Sequence, residues 1–230
     1  MQCEDRGTQG GAKVGILDIF KIGKAVKEQR SLAQQLASLP MSRFVPECLH
    51  HLNRSAGHWE GRARFPHSAA ARMAREKGLP AELAEFYQEC DGFEAVHGDF
   101  PAALLPMTEL RAGADHAPPV STVLAAHWEE YGNPSPGSLG VRPHDDSQAT
   151  APEFLLAPSQ LDLALPLCPP KRDNIIMLLM ADAGPALKKG SILEIAHGSA
   201  IRYPGFRTWL GIRASVLGAM VSRFGLPGRP

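Results

Sequence analysis

The pattern of apolar and polar positions is clearest over 78–96, and it changes period within that stretch. Leu83, Phe86, Tyr87 and Cys90 recur at helical spacing and form one apolar stripe, while Glu82, Glu85 and Glu89 fall on a different, acidic face. Leu79-Pro80 opens the helix, since a proline in the first turn gives up an N–H that would be unpaired anyway. Glu82 sits in that first turn, where the helix dipole favours negative charge. Asp91-Gly92 then ends the helix, because glycine accepts the left-handed conformation of a C-terminal cap. Phe93 to Val96 alternates as a half-buried strand does.

Upstream, the spacing predicts a helix over 14–39, entered at Asp18 and stopped by Pro40, a second over 42–53, and a third over 67–77 with Ser68 as N-cap. Downstream, His97-Gly98-Asp99 reads as a turn, with 100–105 as the returning strand of a hairpin and a short helix or loop at 108–110. The stretch 111–153 carries Pro118-Pro119, a run from Asn133 to Gly137 rich in proline, and Asp145-Asp146-Ser147, so it reads as a long loop enclosing a small helix over 122–131. One or two short strands follow in 154–167. The continuous apolar run 175–180 predicts a central strand buried on both faces, and 183–190 a hairpin loop. Strands at 192–196 and 200–203 precede a closing helix over 205–224, which lines up Phe206, Trp209, Leu210, Leu217, Met220, Val221 and Phe224 and ends at Gly225 and Pro227. The sum is an α+β domain over 67–225: a mixed, mostly antiparallel sheet of about five or six strands, helices packed on one side, and a helical extension over 1–66.

Composition narrows the function classes. The chain has 230 residues, 44% of them hydrophobic, enough for a sizeable core. Twenty-four Lys and Arg balance 24 Asp and Glu, which argues against a general nucleic-acid binder, whose affinity comes from clustered positive charge. Lys21, Lys24, Lys27 and Arg30 nevertheless make the first helix basic. No run of about 18 apolar residues suits a membrane span and no export leader is visible, so the expected location is cytoplasmic. Cys3, Cys48, Cys90 and Cys168 lie far apart with no paired spacing, which predicts reduced thiols and no zinc site. His50 and His51 are adjacent, so one helix points them to different faces and they cannot chelate one ion together. No cofactor is expected.

The order of a helix opened by Leu79-Pro80, then Glu82, Leu83, Phe86-Tyr87, a turn at Asp91-Gly92 and a strand from Phe93 resembles the core signature of the SUKH superfamily. The later segment Leu105-Pro106-Met107 with Glu109-Leu110, and the closing helix with Phe206, Trp209 and Leu210, are similar to that family too. The resemblance spans about 68–217. It implies an immunity protein that binds a cognate bacterial toxin and neutralises it by occluding the toxin's active site.

Two other readings stay open, one from residue chemistry and one implied by the resemblance. His97 with Asp99, or His144 with Asp145 and Asp146, has the composition of a hydrolase's acid-base pair or a metal-dependent site, although all sit in turns that favour Asp for backbone reasons. A regulatory protein-binding scaffold is the other. No P-loop, HExxH or GxSxG motif is present, so the expectation is a protein that is not an enzyme. For partner binding, Glu89, Glu94 and Asp99 supply negative charge near the signature, and Trp128 and Tyr131 are aromatic anchors in a loop-like setting. An acidic face would steer a basic, nuclease-type toxin toward it.

Overall fold

The computed structural model describes residues 16–54, 59–98, 100, 102–130, 139–143, 154–156, 158–169, 175–183, 187–196 and 199–224, with side chains left out at 16–26, 127–130, 139–140, 154–156, 158–159, 199 and 217–224. The first helices are α1 (Ile16–Ser38), α2 (Met41–Arg54), α3 (Ala70–Glu76) and α4 (Ala81–Glu89). Leu83, Phe86 and Tyr87 of α4 are buried, as their spacing predicts. Cys90 continues the stripe, and burial pushes its thiol up to about 12. Gly92 follows at φ +85°, and a side chain there would place a Cβ 2.5 Å from the Leu104 carbonyl oxygen. Both the backbone angle and the space therefore demand glycine.

Strand β2 (Phe93–His97) forms as expected, but its partner is not the segment that follows it. It pairs antiparallel with β1 (Glu60–Ala63), which lies before α3 in sequence. Residues 102–105 are apolar because they form a largely buried irregular connection. Its backbone is satisfied one group at a time: Leu104 N–H donates to Phe93 O (2.9 Å) and Leu105 N–H to Leu167 O (2.8 Å). The Tyr87 hydroxyl donates to Leu105 O (2.8 Å), and Arg64 Nη1 donates to Leu104 O (2.8 Å). Gly61 of β1 faces the Phe100 ring, which would stand 2.4 Å from any Cβ placed there. The outer edge of β1 is closed by Asn53 of α2, whose side-chain amide donates to Gly61 O (2.8 Å) and accepts from Gly61 N–H (2.9 Å).

The main sheet contains β3 (Leu139–Pro143), β4 (Phe154–Leu156), β5 (Leu165–Pro166), β6 (Ile175–Leu178), β7 (Ile192–Ala196) and β8 (Ser199–Tyr203). Their order is β4-β3-β8-β7-β6-β5. Only β3 and β8 run parallel; every other pairing in the sheet is antiparallel. The fold is thus α+β with a mixed, mostly antiparallel sheet. β3 lies inside the stretch expected to be a long loop, and a helix near the expected one, α5 (Val120–Glu130), lies there too.

Successive residues of β6 and β7 face opposite ways, and both faces are buried. Ile176, Leu178, Ile192 and Tyr203 pack with residues of α2, α4 and the closing helix α6 (Phe206–Phe224) in the larger core. Ile175, Met177, Leu193, Ile195 and Ala200 point the other way, against Val120 and Leu124 of α5 and Leu161 of the 3₁₀ turn Pro158–Leu163. The expectation of helices on one side describes the larger layer; α5 covers the second face. Leu36, Phe44, Cys48 and Leu52 of the N-terminal helices belong to the same buried cluster as Phe86 and Trp209.

Candidate partner-binding surface

The residues expected to meet a partner are placed as follows. Glu94 is half buried on the solvent side of the β1–β2 ribbon, 2.6 Å from Arg62 and 3.5 Å from Arg64. The hydrogen bond from Arg62 holds its carboxyl below the usual carboxylate range. Glu89 is exposed at the end of α4 and His97 at the end of β2. Trp128 lies in α5, with its side chain outside the described residues, and Asp99, Tyr131, His144, Asp145 and Asp146 lie outside them altogether. The structure therefore places Glu89 and Glu94 on opposite sides of the Gly92 turn and ties Glu94 to two arginines. The ribbon's exposed apolar residues do not merge into one patch. Val96 sits beside the bulge opposite Glu60 and Gly61, whereas Phe65 lies beyond the other end, two residues past Ala63.

Two acids of the α4 face are spent inside the fold. Glu82 Oε2 accepts from Arg207 N–H (3.2 Å), so a carboxylate from α4 caps the first turn of α6, where the dipole favours it. Glu85 pairs with the Arg207 guanidinium (3.3 Å), which also donates to the carbonyls of Ala37 and Leu39 at the end of α1. The same guanidinium lies 5.4 Å from the centre of the Phe44 ring. Arg207 thereby ties α1, α2, α4 and α6 together. Helical spacing shows Glu82 and Glu85 on one face, but the partner is more than 120 residues away and leaves no local trace.

A second polar group was missed because it reads as part of a strand. Glu194 of β7 is buried on the helix-facing side of the sheet. Its Oε2 accepts from the Tyr203 hydroxyl (3.1 Å) and Trp209 Nε1 (3.2 Å), and Arg213 forms an ion pair with Oε1. Burial pushes the Tyr203 hydroxyl up to about 12 and lowers Arg213. The cluster is a satisfied buried carboxylate locking α6 to the sheet, the arrangement low dielectric requires. A shallow cavity of about 270 Å³ lies where α4, α6 and the β6–β7 loop meet, lined by Pro80, Glu82, Lys189, Gly190, Gly205 and Thr208. The Glu82 carboxylate already occupies its helix terminus.

The outer face of α2 differs. Arg43, His50 and Arg54 are exposed there, and among the described residues none of them makes an ion pair. The His50 and His51 rings meet edge to face at 5.8 Å. His51 is lowered by burial first and by the His50 charge second. Among the described residues no three His, Cys, Asp or Glu side chains are grouped to hold a metal ion, and no helix is long and apolar enough to cross a membrane. No family model matches this chain, and neither a curated protein nor a solved structure matches it.

Proposed function

We propose that this chain is a SUKH-like immunity protein: a cytoplasmic, non-enzymatic module that binds a cognate bacterial toxin and occludes its active site. The observation that carries this reading is the convergence of the residues on which the resemblance rests. Phe86 stands 5.1 Å from Tyr87, 5.5 Å from Phe93 and 4.7 Å from Phe206, ring centre to ring centre, and Phe206 stands 5.8 Å from Trp209. Segments about 120 residues apart in sequence thus build one aromatic interior. That is what a shared signature must do if it encodes a fold rather than a chance spelling. Four of the described carboxylates, Glu82, Glu85, Asp91 and Glu194, are engaged in contacts within the fold, which fits a binding module.

Co-expression with the toxin encoded beside this chain tests the proposal. The expected result is restored growth and a stable complex on co-purification. A neighbouring toxin that is neither bound nor neutralised would overturn it. Glu85 and Glu94 already pair with arginines and Glu82 caps the first turn of α6, so a basic, nuclease-type partner would have to compete with those contacts for them.

A further inference from the structure

We draw no further inference here: the strongest candidate, the shallow cavity where the N-terminal ends of α4 and α6 meet the β6–β7 loop at Lys189 and Gly190, offers only a helix terminus that the Glu82 carboxylate already occupies, and among the described residues no buried polar side chain without a hydrogen-bond partner lines it to mark a ligand.

Discussion

The two faces of the main sheet are closed by different means. The larger core, toward α2, α4 and α6, holds the aromatic rings of Tyr87, Phe44, Phe86, Phe93, Phe206 and Trp209 and two buried carboxylates, Asp91 and Glu194. The described core of the other face is aliphatic: Val120, Leu124, Val141, Leu161, Leu187 and alternate residues of β6 and β7. Ring packing and a hydrogen-bonded charge accept few arrangements, whereas aliphatic side chains tolerate repacking so long as volume is kept. The first face fixes how the helices sit; the second chiefly excludes water. Removing a polar atom should therefore hurt the first face most, and removing volume should be felt on either.

The largest effect is expected at Glu194. Replacing it with alanine leaves Arg213 partly buried without its carboxylate and takes this acceptor from Trp209 Nε1 and the Tyr203 hydroxyl, so Glu194→Ala should cost about 3–5 kcal/mol in urea unfolding. Glu194→Gln keeps an acceptor for Trp209 and Tyr203 but loses the charge, and should fall between that variant and the parent. Trp209 fluorescence should shift with Glu194→Ala. Equal stability of all three proteins would show that the network contributes nothing to the contrast between the faces.

On the opposite face, Leu124→Ala removes volume from a fully buried position and should cost about 2–4 kcal/mol. The distinguishing readout is local: amide exchange should accelerate in α5 and the 3₁₀ turn before it does in α4. Simultaneous acceleration everywhere would mean that the two faces unfold as one unit.

Gly92→Ala acts between these regions, at the turn that sends the chain from α4 into β2. The positive φ alone should cost about 1–3 kcal/mol, and the close approach of the Leu104 carbonyl adds to it. Wild-type stability in this variant, measured by thermal unfolding, would mean that the backbone relaxes here with ease.

The contrast also explains what was legible in sequence. Helix α4, its glycine stop, β2, β6 to β8 and α6 announce themselves because each buries a regular set of positions: period 3.6 in the helices, alternation or a continuous run in the strands. Strand β1 is silent: Glu60-Gly61-Arg62-Ala63 has no large apolar residue, since the core space beside Gly61 is filled by the Phe100 ring. Strand β3 lies among proline and glycine, and its place is given by β8, about 60 residues later. Residues 102–105 mislead the opposite way, because an irregular connection buried under the core is as apolar as a strand. For the partner surface, sequence shows which residues are acidic but not which are already paired. Glu82 and Glu85 look available until α6 brings Arg207 to them.

The smallest expected effect separates the faces by acidity. His116 lies between the 3₁₀ turn Gly113–Asp115 and α5, and its Nε2 is buried with no hydrogen-bond partner among the described residues. Burial lowers its pKa first, and the Arg111 charge beside it second, against a smaller raising effect of Asp115. The folded state thus binds this proton less readily than the unfolded chain. Stability from His116 is fully present above the ordinary histidine value of about 6.5 and is lost as pH falls below it. Amide exchange in α5 should quicken between about pH 6.5 and 5, and His116→Gln should flatten that dependence. His51, lowered mainly by burial on α2, titrates in the same direction on the other side of the molecule, so global unfolding alone would not resolve the two. A His116→Gln protein whose α5 protection keeps the parent's pH dependence would place the acid sensitivity at α2 and leave the second face indifferent to protons.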